Sequence, residues 1–230
     1  MTKIGFPGES AAYRASRDEL LKAELELRKK TEEVAALRRK LPIGGKVPED
    51  YVFEEGGSDL SDSKTVKKVT LSALFGDKST LVLYSFMYGP KMDEPCPMCT
   101  SFLDGLDAEA PHIRQTVALA VTAKSPLARI RKFAQTRPWN HLRLVSSAGS
   151  TYQKDYRGEL ESGEQMPMMN VFVKRDGAVH HSWGSEMLYA SDRKKDGIDA
   201  RHIDIMWPLW NVLDLTPEGR GESWYPALKY

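Results

Sequence analysis

Two cysteines, Cys96 and Cys99, are the residues whose type and spacing most directly suggest chemistry, and the sequence contains no other cysteine. Pro97 and Met98 separate them, and proline suits the first position of a helix, where its missing N–H costs nothing. Backbone N–H groups and the helix dipole at such a start favour a thiolate at Cys96. Thiolate is the nucleophile in disulfide exchange and in peroxide reduction. We therefore predict that Cys96 attacks the substrate and that Cys99, one turn later and shielded, resolves the intermediate.

The cysteine pair also permits other interpretations. Two close thiols can be inert core residues, or they can bind Cu(I), which prefers soft sulfur ligands. In a copper site Met168 is the candidate third ligand beside Cys96 and Cys99, and a distant histidine could add a fourth from His112, His141, His180, His181 and His202. Without copper we predict no metal and no cofactor. The sequence has no glycine-rich phosphate loop, so a nucleotide cofactor is not indicated.

A protein without catalytic activity is a further class that the sequence leaves open. Such an interaction module would use the N-terminal helix described below and exposed aromatic residues from the set Trp207, Trp210, Trp224 and Tyr225. Thiols that neither bind metal nor respond to an oxidant would favour this class over the two redox and metal alternatives.

The segments around the motif predict the elements that position it. Residues 81–87 form a nearly continuous apolar run, typical of a central strand covered on both faces, and a loop over 89–95 leads to the helix that Cys96 opens. Further strands are predicted at 51–53, 66–74, 117–121 and 142–145, a helix at 126–133, a hairpin over 171–179 and a final helix within 203–213. Alternating strands and helices followed by a hairpin predict an α/β fold with a mixed central sheet. A CxxC motif at a strand-to-helix turn in this pattern is typical of thioredoxin-like folds.

A proline loop before the hairpin is the second part of the predicted site. Met166-Pro167 precedes the apolar segment 168–173, and in a thioredoxin-like fold this loop faces the CxxC motif. We predict that Pro97, Met98, Met166 and Pro167 contact the substrate, and that Met166 or Met168 faces Cys96. Both isomers of the Met166–Pro167 peptide bond are compatible with this position.

Three charged side chains could influence the thiols. Asp104 lies in the second or third turn of the motif helix, where a solvent-exposed role explains it equally well. Arg143 and Arg157 could stabilise a thiolate if the fold brings them near it. Sequence order alone does not place either arginine.

Residues 10–41 predict one long helix, because the segment is charged and free of proline and glycine. Leu20, Leu27, Val34 and Leu41 recur every seven residues, and Leu37 fills one companion position. The helix therefore either lies along its own domain or pairs two copies of the chain in a homodimer. The Gly44-Gly45 pair marks a boundary, which divides the chain into an N-terminal helical extension, 1–45, and a second domain, 46–230.

Composition and charge exclude several classes of partner. Hydrophobic residues make up 41% and charged residues 28% of the chain, as in globular proteins with a sizeable core. The formal net charge of +1 gives no bulk attraction to nucleic acid or to anionic lipid. The longest apolar run is too short to span a bilayer and the N-terminus has no apolar signal core. We therefore predict a cytoplasmic protein whose partners are disulfides or peroxides and an unidentified thiol reductant.

The chain resembles a known family over nearly its whole length from the N-terminal helix onward. The resemblance rests on residues 38–42, 50–54, 81–88, 96–104, 146–150 and 213–220, which are similar to the thioredoxin-like family labelled domain of unknown function 899. The family implies a thioredoxin-like fold related to peroxiredoxins and a dithiol-disulfide oxidoreductase activity through Cys96 and Cys99. Its members commonly carry a histidine in the strand before the motif, where this chain has Ser85, so no role of such a histidine transfers here.

Overall fold

The computed structural model describes residues 5–137, 139–189, 206–219 and 225–229. The chain divides into two compact units, Met1–Pro42 and Ile43–Tyr230. The predicted boundary, after residue 45, lies three residues later. Among the described residues, no helix combines the length and the apolar character needed to cross a membrane.

The first unit is dominated by helix α1, Ala11–Arg39, which confirms the predicted helix to within two residues at each end. Ser10 caps its N-terminus, because the Ser10 Oγ accepts a hydrogen bond from the Tyr13 N–H at 3.1 Å. Ion pairs at i, i+3 and i, i+4 spacing line the helix surface. No residue of α1 is buried, and Leu27 and Leu37 expose 68% and 62% of their surface.

The second unit is built on one mixed sheet of seven strands, with helices on both of its faces. The strands are β1 (Val52–Gly56), β2 (Val66–Thr70), β3 (Thr80–Ser85), β4 (Ala118–Ala123), β5 (Leu144–Ser146), β6 (Met168–Arg175) and β7 (Ala178–Gly184). The helices are α2 (Leu71–Leu74), α3 (Pro97–Ile113), α4 (Leu127–Thr136), α5 (Tyr152–Asp155) and α6 (Pro208–Leu213), and a 3₁₀ turn covers Glu186–Tyr189.

The strand order of the sheet is β2-β1-β5-β4-β3-β6-β7. The central strands β3, β4 and β5 pair in parallel, while β1 and β2 on one side and β6 and β7 on the other pair antiparallel. The unit β3-α3-β4 and the hairpin β6-β7, which docks on β3, form the core of a thioredoxin-like fold. The predicted fold class is therefore confirmed, although parallel pairing is restricted to the centre of the sheet.

Two short elements differ from the sequence prediction. The strand expected at 66–74 ends at Thr70, and helix α2 follows, because the Thr70 Oγ1 caps the Ala73 N–H and Asp50 accepts a hydrogen bond from the Ser72 N–H. The single turn of α5 was not predicted. The final helix begins at Pro208, and residues 203–205 of the predicted segment lie outside the described part of the chain.

The sheet separates two apolar layers. We call the first the α3 layer; it packs α3, α4 and α6 on the sheet and includes Tyr84, Phe86, Cys99, Phe102, Trp139, Met169, Trp207 and Trp210. The second, the α5 layer, includes Leu71, Leu81, Leu83, Tyr152 and Phe172. Alternate residues of β3 enter opposite layers, as the period of a strand requires. Both faces of the central strands are thus buried, which explains the continuous apolar run at 81–87.

Candidate active site

The backbone around Cys96 fixes it as the cap of helix α3. The Cys96 N–H donates to the Met87 carbonyl oxygen at 3.0 Å, and Pro97 takes the first helical position, as predicted. The Cys96 Sγ accepts the Cys99 N–H at 3.5 Å, so the sulfur takes the place that a side-chain oxygen has in an ordinary cap. The Thr100 N–H and hydroxyl both donate to the Cys96 carbonyl, at 3.0 and 2.9 Å. The sulfur of Cys96 is therefore held at the positive end of the helix.

Hydrogen bonds lower the pKa of the Cys96 thiol from 9.0 to about 6. The strongest cause is the hydrogen bond from the Cys99 thiol; burial opposes it, and the N–H groups of Cys99 and Met98 and the hydroxyl of Tyr225 act in the same direction as the thiol. Cys96 is half-buried, so the residue is partly accessible to solvent. A thiolate therefore predominates at neutral pH.

Cys99 has the opposite character one turn further along the helix. Its side chain is buried, with 3% of its surface exposed, and burial raises the pKa of its thiol well above 9.0. The hydrogen bond to Cys96 and the Cys96 charge add to this effect, while the Tyr84 hydroxyl favours the thiolate of Cys99. The Tyr84 hydroxyl is fully buried beside this thiol. Cys96 and Cys99 are not joined by a disulfide in this structure.

The loop that leads to Cys96 is held in place by a guanidinium group on α4. Arg129 donates to the carbonyl oxygens of Gly89, Pro90, Met92 and Asp93, with distances of 3.4 Å to Gly89, 3.3 Å to Pro90 and 2.9 Å to Asp93. Its guanidinium carbon lies 4.6 Å from the centre of the Tyr88 ring. Arg129 is a residue that sequence reasoning missed, because no local signal links it to the motif.

The proline loop reaches the same end of the sheet as the motif. Strand β6 pairs antiparallel with β3, and Met168 lies opposite Ser85 at the end of β3 from which the chain runs to Cys96. The Gln165 side chain crowds the Cα of Gly89, so the two loops are neighbours. Met166 and Pro167 are half-buried, and the peptide bond between them is trans.

Met168 does not face the thiols, contrary to that part of the prediction. Its sulfur lies 3.5 Å from the Ser185 hydroxyl, and its side chain lines a cavity of about 680 Å³ together with Tyr156 and His181. The next residue of β6, Met169, is buried in the α3 layer together with Cys99. Because side chains of a strand alternate between faces, Met168 and Met169 must lie on opposite sides of the sheet. Pro97 and Met98 occupy the first turn of α3, and Met98 packs against the α3 layer.

The predicted copper ligands are not brought together in the described part of the chain. Cys96 and Cys99 are adjacent, but Met168 lies on the other face of the sheet. Of the candidate histidines, His141 contacts Asp107, His180 contacts the Gly44 carbonyl and His181 contacts Asn170, while His202 lies outside the described residues. No group of three or more His, Cys, Asp or Glu residues suited to a metal ion occurs within the described ranges.

The three charged residues that were candidates for influencing the thiols also have other partners. Asp104 forms an ion pair with Arg137 and accepts the indole N–H of Trp139 at 2.8 Å, so it links α3 to α4 and does not act directly on the thiols. Arg143 makes a two-pronged ion pair with Glu55 on β1. Arg157 lines the 680 Å³ cavity on the face opposite the cysteines. The fold thus brings neither arginine to the motif.

The aromatic residues that suggested an interaction surface are mostly internal. Trp207 and Trp210 expose only 2% and 4% of their surface, and both pack in the α3 layer. Trp224 lies outside the described residues. Tyr225 is about half exposed, and its hydroxyl is one of the groups that lower the pKa of Cys96, a role that was not predicted. Its only signal is an aromatic residue in the C-terminal tail.

Comparison with known proteins identifies the family. The family model described as "Bacterial protein of unknown function (DUF899)" matches residues 6–230. This chain belongs to the DUF899 family. The resemblance seen in the sequence is thereby confirmed. No curated protein sequence matches the chain.

Several solved structures are similar to this DUF899 protein. A 2-Cys peroxiredoxin from Plasmodium vivax has 17% identity and a TM-score of 0.45, covering 60% of this chain and 81% of its own. Thioredoxin peroxidase I from Plasmodium yoelii has 18% identity and a TM-score of 0.47, covering 79% and 100%. AhpC from Enterococcus faecalis has 10% identity and a TM-score of 0.44, covering 62% and 78%.

Proposed function

We propose that this DUF899 protein is a thiol-disulfide oxidoreductase in which Cys96 is the nucleophile and Cys99 the resolving thiol. The observation that carries the proposal is the contrast between two adjacent thiols. Cys96 caps a helix, is accessible and has a pKa of about 6, whereas Cys99 is buried and has a raised pKa. An accessible thiolate beside a protonated, protected thiol is the arrangement that two-step disulfide exchange needs.

With a disulfide substrate, the Cys96 thiolate attacks one sulfur, forms a mixed disulfide and releases the other substrate sulfur as a thiolate. Cys99 then loses its proton and attacks the Cys96 sulfur. The second substrate thiol leaves, and a Cys96–Cys99 disulfide remains. The two electrons pass from the cysteine pair to the substrate, and a thiol reductant must return them. The reaction needs no cofactor, because the pair itself holds both electrons.

A peroxide is the second substrate class that this pair can reduce. The Cys96 thiolate attacks one peroxide oxygen, the O–O bond breaks, and protonation of the leaving oxygen gives water or an alcohol. Cys96 is then a sulfenic acid. Cys99 attacks its sulfur and water leaves, so the same Cys96–Cys99 disulfide forms. Disulfide and peroxide substrates therefore differ in the first step, but both leave the same Cys96–Cys99 disulfide.

The substrate-contacting surface is proposed to combine the first turn of α3 with the proline loop. Pro97 and Met98 follow Cys96 in the first turn of α3, and Met166 and Pro167 precede Met168, which pairs with Ser85 at the same end of the sheet. Their largely apolar side chains suit an extended peptide or a small apolar disulfide better than a hydrated, highly charged one. A reducing cytoplasm is the compartment in which a dithiol of this kind can be recycled by cellular thiols.

Equilibration with glutathione redox buffers tests the proposal. We expect one intramolecular Cys96–Cys99 disulfide, mapped by mass spectrometry, whose formation follows a single two-electron transition. Thiols that stay reduced across the whole range would contradict it. If copper co-purifies with the reduced protein at a fixed copper-to-protein ratio, the result would favour the Cu(I) alternative. The ligands would then be other residues than Met168.

We also propose that α1 pairs two copies of the chain. The heptad leucines Leu20 and Leu27 expose 46% and 68% of their surface, and no residue of α1 is buried, which leaves an apolar stripe that a second α1 would cover. Replacing Leu20 and Leu27 by aspartate should convert a dimer to a monomer in light scattering. The matched control replaces the exposed, charged residues Lys22 and Lys29 by aspartate. A wild-type monomer, or a dimer that survives the leucine changes, would show that α1 does not carry the contact.

A further inference from the structure

A pocket of about 250 Å³ lies at the end of the sheet where β1 ends and β5 begins. Strands β3, β4 and β5 run parallel, and Cys96 follows the far end of β3, so the pocket and the thiols lie at opposite ends of the sheet. Arg114, which lines the pocket, caps the C-terminus of α3, roughly 25 Å along that helix from Cys96. The pocket is therefore separate from the candidate active site.

We call this site the cationic pocket, because its charged lining residues are Lys67, Arg114, Arg131, Arg143 and a single acid, Glu55. Four cations against one carboxylate give the lining an excess of three positive charges, whereas the whole chain has a formal net charge of only +1. The side chain of Arg114 is exposed and makes no hydrogen bond or ion pair with the residues that the structure describes. A cleft with an excess of one charge attracts ions of the opposite sign.

Arg131, on α4, is the buried cation of this pocket, with 7% of its surface exposed. Its guanidinium donates to the carbonyl oxygens of Gly57, Asp59 and Asp62, at 2.8 Å from Gly57 and 3.1 Å from Asp62. Within the described ranges, no carboxylate lies at ion-pair distance from it. A guanidinium does not lose its proton, so the site holds a full positive charge that carbonyl dipoles compensate only in part.

The local backbone holds the guanidinium of Arg131 at the end of β1. A Cβ at position 56 would collide with it, so the glycine there leaves the space that the guanidinium occupies. The carboxylates of Asp59 and Asp62, whose backbone carbonyls bind Arg131, accept backbone N–H groups of their own loop, 61–65. The acids of this loop therefore fold the loop and do not pair directly with the buried cation.

Glu55, the carboxylate that lines the cationic pocket, is already shared by two other cations. It accepts hydrogen bonds from Arg143 through both oxygens and lies 3.2 Å from Lys67 Nζ. Burial raises the pKa of Glu55, but the hydrogen bonds and charges of Arg143 and Lys67 outweigh burial and hold the pKa below its usual value. Glu55 thus compensates Arg143 and Lys67 in part and leaves Arg114 and Arg131 without a direct counter-charge.

We propose that the cationic pocket binds a phosphate group, either free inorganic phosphate or the phosphate of a small monoester. This inference is independent of the proposed redox function. A phosphate dianion would offset two of the three excess charges, and the planar fork of an arginine binds two phosphate oxygens at once. The pocket is smaller than the roughly 300 Å³ at which sites for drug-sized ligands begin, so the phosphate must belong to a small molecule.

Isothermal titration calorimetry of the full chain with inorganic phosphate tests the inference. The titration is done at about pH 8, where the dianion predominates, with the ionic strength held constant by sodium chloride. We expect saturable binding of one phosphate per chain. A second titration with glycerol phosphate separates the two sources: tighter binding than that of inorganic phosphate assigns the site to a monoester, and equal or weaker binding assigns it to the free ion.

Two variants and a matched control locate the binding site. Lys67→Met and Arg114→Met should each weaken phosphate binding about tenfold, because each removes a charged donor. Both residues are exposed, so both chains should fold. Lys68→Met is the control, since Lys68 is the next residue of β2, is equally charged and exposed, and points to the other face of the strand. It should bind phosphate as the wild type does.

Three results would overturn the inference. The first is heat that does not saturate or that added sodium chloride reproduces, which would indicate unspecific screening of charge. The second is full binding in both Lys67→Met and Arg114→Met, which would place the phosphate elsewhere on the chain. The third is a loss in Lys68→Met as large as that in Lys67→Met, which would mean that only the overall charge of the protein matters.

Discussion

Cys96→Ser is expected to abolish reduction of a model disulfide, with a loss on the order of a thousandfold or more, because a serine hydroxyl is not ionised near neutral pH. Cys99→Ser should have a different effect. Its Cys96 still attacks, so one substrate equivalent is consumed, but no second thiol displaces the mixed disulfide. We therefore expect Cys99→Ser to stop after a single turnover and to accumulate a covalent adduct on Cys96.

The two variants are distinguished by a measurement that follows both product and adduct. Release of a chromogenic thiol from an aromatic disulfide reports the first step, and intact-mass analysis reports the adduct. Ser101→Ala, on the same helix, is the matched control and should turn over like the wild type. Because Cys99 is buried, Cys99→Ala serves as a second variant, and near-ultraviolet circular dichroism checks that each chain is folded. A single turnover that leaves an adduct on Cys99 in the Cys96→Ser chain would reverse the assigned roles.

The position of the motif could be predicted because its signals are local. Pro97 after a polar loop marks a helix start, and the apolar run before the loop marks a buried strand. The structure places Cys96 as the cap of α3, directly after β3, as these signals indicate. The hairpin was recognised for the same reason, since Arg175-Asp176-Gly177 is a turn signal and both Asp176 and Gly177 adopt positive φ.

The sequence does not predict which of the β6 methionines, Met168 or Met169, faces the cysteines, because the answer depends on the exact register of the strand. A strand has a period of two, so a shift of one residue exchanges the side chains that face each layer. The sequence places Met168 and Met169 at the same end of the sheet but does not determine which of them points toward α3. The register of β6 on β3, with Met169 opposite Tyr84, sends Met169 to the cysteine side.

Residues that act on the site from distant parts of the chain were also missed. Arg129 organises the loop before Cys96 from α4, and the hydroxyl of Tyr225, in the C-terminal segment, is one of the groups that lower the pKa of Cys96. Such contacts depend on how helices pack on the sheet, and no spacing rule encodes them. The same limit applies to Asp104, whose carboxylate has Arg137 and Trp139 as partners within the α3 layer.

The second large effect is the pH dependence of Cys96 reactivity. Its pKa is lowered to about 6, so the thiolate fraction should rise about tenfold between about pH 5 and about pH 8 and should change little above pH 7. An ordinary thiol with a pKa of 8.5 to 9 would rise several hundredfold over the same range and would still be rising at its end. Because the pKa of Cys96 is lowered, its thiolate is protonated, and its reactivity is lost, only in more acidic solution.

The most direct test of the account is the rate of limiting alkylation of the reduced chain across this pH range, with the labelled cysteine identified by peptide mass mapping. The account predicts label on Cys96, a half-maximal rate near pH 6 and a plateau above pH 7, with Cys99 unlabelled until the chain is unfolded. Preferential labelling of Cys99, or a Cys96 rate that is still rising steeply above pH 8, would contradict the claim that Cys96 is the low-pKa nucleophile of this protein.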